Sequence, residues 1–289
     1  MADKVKKIRK PMYAREEMSR LVKWFFGLPL IYVIWLLLSL VIPVYKAGPR
    51  MTMIMNIVSY AVFIFSAILV IVRFLKFPFK KMLNKDQIFN YKNLFAGFIP
   101  MLVLGTLSSF LWMLVKPQNF TYCLKSGWPV DFLLSLVLIT LAAFLEELLC
   151  RAYITYFIND EMESRTKQKL LYCLASATFF TILHFQNPEV SGSKAIYSMT
   201  FYFIMGFALM AVSFKTGGIE AAIGIHLANN LTNAWFFSYE DSALITNSIF
   251  IQKDNIGPWM VVQAVLCTLL SVLVVVKIAK KQEAQNVEK

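Results

Sequence analysis

Two glutamates and an arginine, Glu146, Glu147 and Arg151, lie inside one long apolar run of this sequence. An ionisable group in hydrocarbon costs several kcal/mol, so such groups usually face the interior of a helix bundle and mark a functional site. Glu147 and Arg151 are four residues apart, a spacing that predicts an ion pair on a helix. Glu146 then lies about 100° around the helix without its own cation, and is available as a general base or acid.

Both histidines of the chain, His184 and His226, also fall in apolar stretches at helix-compatible positions. Phe180 precedes His184 by one helical turn, and Asn230 follows His226 by one turn. A single buried histidine is more often a core residue than a catalyst. Helix rise, counted from the expected helix ends, puts Glu146, both histidines and Asn230 between about 10 and 21 Å from one membrane face. We therefore expect one shared intramembrane layer of polar groups.

Several kinds of site fit these residues. Glu147 and Arg151 could form a purely structural polar clamp between helices, although two adjacent acids exceed what one base needs. Two histidines and a glutamate could hold zinc. The metalloprotease motif H-E-x-x-H and the serine-hydrolase motif G-x-S-x-G are both absent, and Ser191–Ser193 lacks a histidine partner nearby in sequence. Intramembrane Glu and His also form proton relays in transporters, but no inverted repeat supports that function.

The composition predicts the elements that must hold these residues. Of 289 residues, 58% are hydrophobic and only 16% are charged, which excludes an ordinary soluble domain. The net charge of +12 does not indicate nucleic-acid binding, because the basic residues flank long apolar runs. We expect an all-α bundle of about eight transmembrane helices at these positions: Trp24–Val44, Met51–Val72, Leu94–Val115, Asp131–Ile158, Leu170–Phe185, Ala195–Phe214, Ile219–Phe237 and Trp259–Ile278.

The distribution of Lys and Arg predicts the orientation. With the N-terminus inside, cytoplasmic segments hold 22 basic residues and outer loops hold six, so both termini should be cytoplasmic. The basic N-terminal segment and Arg73–Asn93 are typical of segments that lie on an anionic membrane surface. No A-x-A-like site follows the first apolar run, which we interpret as an anchor and not a removed signal peptide.

Three motifs together resemble one family. Glu146-Glu147-x-x-x-Arg151, Phe180-x-x-x-His184 and His226-x-x-x-Asn230 occur in this order on separate predicted membrane helices. This arrangement is similar to the CPBP intramembrane proteases. That family includes CAAX prenyl endopeptidases of the Rce1 type and bacterial Abi-type relatives in bacteriocin processing or immunity. The resemblance covers roughly 131–237, flanked by an N-terminal part (1–130) and a C-terminal part (238–289).

The resemblance also implies roles for the motif residues. Glu146 and His184 would activate a water, and His226 and Asn230 would stabilise the oxyanion. Glu147, Arg151 and Phe180 would support them, with no metal or other cofactor. The implied function is a glutamate-type endopeptidase acting on a membrane-associated peptide or protein within the lipid bilayer. The composition favours a bacterial plasma membrane. The alternative is a non-proteolytic scaffold, immunity factor or regulator built on the same bundle.

Overall fold

The computed structural model describes residues 2–41, 48–157, 166–240, 242–243, 246–253 and 257–287. Nine α-helices make up most of these ranges: α1 (Ala2–Ser39), α2 (Pro49–Leu69), α3 (Phe79–Leu83), α4 (Tyr91–Val115), α5 (Trp128–Glu147), α6 (Thr166–Leu183), α7 (Ala195–Thr216), α8 (Glu220–Leu231) and α9 (Pro258–Val287). The prediction of an all-α polytopic membrane bundle is confirmed. The predicted ends at Val44 and Ile158 lie outside the described residues.

Six helical segments are long and apolar enough to cross a membrane. They are Met18–Ser39, Pro49–Phe74, Tyr91–Val115, Trp128–Tyr156, Ala195–Thr216 and Pro258–Gln282. Large apolar side chains on these segments are exposed, as expected for surfaces that face lipid. The basic N-terminal segment, expected as a flank, is continuous with the first of them in α1.

The fifth and seventh predicted spans correspond to α6 and α8, which are shorter, at 18 and 12 residues. Helix α8 is almost entirely buried among α4, α5 and α7. Gly97 on α4 and Gly224 on α8 allow this close packing, because a Cβ on either would collide with the backbone of the other helix. Helix α8 is therefore a core helix of the bundle, and its apolar composition reflects burial in protein.

Three helices continue as π-helical segments. Val70–Phe74 follows α2, Leu148–Tyr153 follows α5, and Thr232–Phe236 follows α8. Such segments are rare in proteins overall, and those that occur are often found at functional sites. The one after α5 begins directly after Glu147 and contains Arg151.

A small sheet, which the sequence did not predict, lies in the loops after α4 and α8. Strands β1 (Phe120–Tyr122), β2 (Phe237–Tyr239) and β3 (Phe250–Gln252) have the order β1-β3-β2. β3 pairs antiparallel with β1 and parallel with β2. The sheet thereby joins the α4–α5 connection to the segment that follows the helix of His226.

The segment between α2 and α4 is tied to the turn between α7 and α8. Lys85 N–H donates to the Gly217 carbonyl at 2.9 Å, and Ile219 N–H donates to the Leu83 carbonyl at 3.0 Å. The Asn84 side chain donates to Glu220 Oε1 at 2.7 Å. These bonds fix the first residues of α8.

Candidate active site

Four of the predicted site residues meet in one cavity of about 380 Å³. Glu146 reaches it from α5, His184 from the end of α6, and His226 and Asn230 from α8. His184 was expected inside a helix, but it is the first residue beyond α6, in a turn where its N–H donates to the Thr181 carbonyl at 3.1 Å. The structure therefore brings these four polar side chains together, and their shared depth in the membrane stays a prediction.

Glu146 lies between the two imidazoles. Its Oε2 is 3.5 Å from His184 Nε2 and 3.6 Å from His226 Nε2. Within the described part of the chain this buried oxygen has no hydrogen-bond partner. The spacing leaves room for a small molecule to bond to the carboxylate and an imidazole together.

The other ring nitrogen of each histidine is held by the protein. His184 Nδ1 lies 2.7 Å from the Phe180 carbonyl oxygen, which can only accept, so Nδ1 carries a proton. His226 Nδ1 donates in the same way to Glu147 Oε1 at 2.7 Å. Both Nε2 atoms are thereby directed to the Glu146 side of the cavity, in orientations fixed by these bonds.

Glu147 contacts Arg151 as its spacing predicts. Arg151 Nη1 is 3.1 Å from Glu147 Oε1, and both side chains are 0% exposed. The Arg151 guanidinium also lies 4.6 Å from the centre of the Phe180 ring, and that ring is 4.4 Å from the ring of His184. Glu147 therefore does more than brace its helix, since the same oxygen orients His226.

A second polar network behind His184 was missed by the sequence reasoning. The Tyr202 ring stacks on His184 with centroids 4.1 Å apart, and its hydroxyl donates to Glu189 Oε1 at 2.5 Å. Glu189 Oε2 accepts from Ala243 N–H at 3.0 Å, and Asn187 donates to Oε1 at 3.3 Å. Glu189 follows α6 in a polar connection and Tyr202 lies in an apolar run, so neither carried a distinctive signal in the sequence.

Asn230 stands at the cavity wall with Asn229. Asn229 Nδ2 donates to Asn230 Oδ1 at 3.1 Å. No protein acceptor for Asn230 Nδ2 is found among the described residues, which leaves both its N–H groups as donors for a ligand. Tyr32 on α1 and Tyr60 on α2 line the same cavity.

The geometry also bears on metal binding. In the described ranges, no group of three His, Cys, Asp or Glu side chains is arranged to hold a metal ion. Metal-binding histidines, however, commonly donate their second N–H to a carboxylate or carbonyl, as both histidines do here.

Comparison with known proteins finds a match over the segment that holds the candidate site. The family model described as Type II CAAX prenyl endopeptidase Rce1-like matches residues 127–232. This segment of the chain is similar to the Rce1-like family, and it contains all the motif residues from Glu146 to Asn230. Together with the match, the six apolar helices support an integral membrane protein.

One curated relative comes from Bacillus subtilis (strain 168). The uncharacterized protein YyaK is 27% identical over 189 residues, which are 64% of this chain. The match spans 62% of the length of YyaK. No solved structure matches the chain.

Proposed function

We propose that this protein is an intramembrane endopeptidase of the glutamate type, which hydrolyses a peptide bond of a membrane-associated peptide or protein. The observation that carries this proposal is the position of Glu146 Oε2. It is buried, has no hydrogen-bond partner among the described residues, and lies 3.5 Å from a histidine whose other nitrogen is held by the protein.

In this proposal, Glu146 and His184 activate a water. A water beside Glu146 Oε2 and His184 Nε2, which are 3.5 Å apart, would be within hydrogen-bond reach of both atoms. Glu146 takes one proton as the water oxygen attacks the carbonyl carbon of the substrate. Tyr202, stacked on His184, and the Phe180 carbonyl keep the imidazole in this position.

In the same proposal, His226 and Asn230 stabilise the negative oxygen that this attack creates. Asn230 supplies an amide N–H. His226 Nδ1 already donates to Glu147, so His226 can donate to the oxyanion only through Nε2–H, as an imidazolium. A protonated His226 also balances charge, because Glu146 and Glu147 then face the two cations Arg151 and His226.

Collapse of the tetrahedral intermediate completes the reaction. The carbon–nitrogen bond breaks, and the protonated Glu146 gives its proton to the leaving amine, so that one carboxylic acid and one amine form from the peptide bond and water. Glu146 returns to its carboxylate form.

The neighbouring cavity suggests where the substrate chain lies. A second space of about 110 Å³ shares Phe201, Tyr202 and Asn229 with the active-site cavity. None of its described lining residues is charged, and serine and amide side chains line it beside apolar ones. An uncharged part of a polypeptide fits these walls.

The Bacillus relative supports a bacterial plasma membrane as the location.

The test compares the wild-type chain with Glu146→Gln in membranes of the same host. The substitution keeps shape and hydrogen bonding but removes the base, so cleavage should fall by orders of magnitude at unchanged protein abundance. New peptide N-termini in the membrane fraction are mapped by mass spectrometry. Glu240→Gln, the same change at an exposed glutamate, is the matched control.

Fragments present with wild type and Glu240→Gln but absent with Glu146→Gln would support the proposal. An internally quenched prenylated CAAX peptide and its unprenylated form can then be tested with the purified chain. If the three membranes give identical sets of N-termini, the protein is not a protease of this type and the scaffold alternative is favoured.

A further inference from the structure

A separate cavity of about 140 Å³ lies at the end of the bundle where the α2–α4 segment meets the α7–α8 turn. Its walls include Phe77 and Lys81 from that segment, Thr155 beyond α5, and Phe214 near the end of α7. It lies where helices end, so its mouth is expected at the boundary between lipid and water. The cavity shares no lining residue with the active-site cavity.

The charged residues that line this cavity are all cations. They are Lys81, Lys85 and Arg151, and no acidic residue is among the described lining. Glu220 is not among the lining residues, and its Oε1 accepts from the Asn84 side chain at 2.7 Å and from Asn90 N–H at 2.9 Å. The cavity therefore favours an anionic ligand.

Arg151 leaves hydrogen-bonding capacity unused at this cavity. The side chain is 0% exposed, and its Nε, Nη1 and Nη2 have no hydrogen-bond partner among the described residues. Its ion pair with Glu147 places Nη1 3.1 Å from Glu147 Oε1. A buried guanidinium with unpaired N–H groups is costly, so an oxygen-rich anion in the cavity would relieve an existing deficit.

Lys85 is fixed at the cavity by its backbone and its stem. Its N–H donates to the Gly217 carbonyl at 2.9 Å. Gly217 has a φ of 70°, and a Cβ built there would lie 2.5 Å from Lys85 Cε. The absence of a side chain at this turn lets the lysine stem cross it beside the cavity.

The remaining walls are apolar, with Phe77, Met82, Phe214 and Ile219 among them. A small hydrophilic anion would gain little from such walls, whereas an amphiphile would bury its glycerol and upper acyl carbons there. Basic pockets between helices at a membrane surface are known to hold anionic lipid headgroups. We propose that this cavity binds the phosphate group of an anionic phospholipid.

The test measures thermal stability of the full chain in detergent during titration with dioctanoyl phosphatidylglycerol. Dioctanoyl phosphatidylcholine and inorganic phosphate are titrated in parallel. Phosphatidylglycerol should raise the melting temperature saturably, and Lys81→Gln with Lys85→Gln should weaken its apparent affinity about 10- to 30-fold. Lys80→Gln with Lys92→Gln removes the same charge from exposed positions outside the cavity, and should change affinity less than about twofold.

Three results would overturn the proposal. Equal weakening by both double variants would indicate a diffuse basic surface. An equal effect of phosphatidylcholine would indicate an apolar groove, and an equal effect of inorganic phosphate would indicate a free anion as the ligand. If the Lys81 and Lys85 double variant folds poorly, the single variant Lys81→Gln is used instead. Its apparent affinity for phosphatidylglycerol is compared with that of Lys80→Gln, and an equal loss in both would overturn the proposal. Binding is measured without proteolysis, so the result is independent of the proposed activity.

Discussion

Arg151→Met is expected to destabilise the bundle because it leaves a buried carboxylate without its permanent cation. Arg151 and Glu147 are both 0% exposed and 3.1 Å apart, and Glu147 would keep only His226 as a partner among the described residues. Removing one member of a buried pair typically costs about 3 to 5 kcal/mol. Each kcal/mol of lost unfolding free energy lowers the melting temperature of a chain of this size by about 2 to 4 °C. The expected fall in melting temperature is therefore roughly 6 to 20 °C.

The double variant Glu147→Gln with Arg151→Met separates stability from function. With no isolated charge left, it should recover at least half of the lost melting temperature. It should not recover activity, because a neutral amide at position 147 replaces the carboxylate that accepts from His226 Nδ1 and so holds the imidazole less firmly. Arg73→Met, an exposed arginine beyond α2, is the control and should shift the melting temperature by less than about 2 °C.

Two measurements on the purified chain check this reasoning. Melting temperature in detergent follows the stability. Nitrogen-15 NMR of histidine-labelled protein would report which ring nitrogens carry protons. Its spectrum should contain signals from two imidazoles, since the sequence has two histidines. His226 should carry a proton on Nδ1 in the wild type, because this nitrogen donates to Glu147 Oε1. A double variant no more stable than Arg151→Met, or a wild-type His226 without an Nδ1 proton, would refute the argument.

Three further predictions concern metal, orientation and the network behind His184. Chelator should leave cleavage intact and purified protein should lack stoichiometric zinc; lost activity that Zn²⁺ restores would instead make His184, His226 and Glu146 ligands. Reporter fusions should place both termini in the cytoplasm, and an external C-terminus would contradict the charge count. Tyr202→Leu should reduce cleavage far more than Tyr202→Phe, which keeps the ring stacked on His184; equal losses would show that the hydroxyl bond to Glu189 matters instead.

The convergence of the motif residues was predictable because charge in an apolar run is costly. Glu146, Glu147, Arg151 and the two histidines had few acceptable positions other than a shared interior. The i, i+4 spacing of Glu147 and Arg151 predicted their contact, which the structure contains at 3.1 Å. The catalytic roles assigned to Glu146, His184, His226 and Asn230 remain predictions.

What escaped prediction depends on contacts between distant segments. The bond from Ala243 N–H to Glu189 joins residues 54 positions apart, and no local pattern encodes it. Helix α8 was expected as a membrane span because burial in protein and burial in lipid select the same apolar residues. Gly97 and Gly224 are meaningful only once α4 and α8 are known to touch.

The charge arrangement explains why two adjacent glutamates are needed where a structural clamp needs one. Glu147 Oε1 accepts from His226 Nδ1 and contacts Arg151, so this one oxygen holds both groups. Its neighbour Glu146 faces the opposite side of the same imidazole, 3.6 Å from Nε2, and lines the active-site cavity. One carboxylate thus sets the orientation of His226, and the second can change its protonation state without disturbing that support. A single glutamate could not do both, because a base that protonates would release the histidine in the step that needs it.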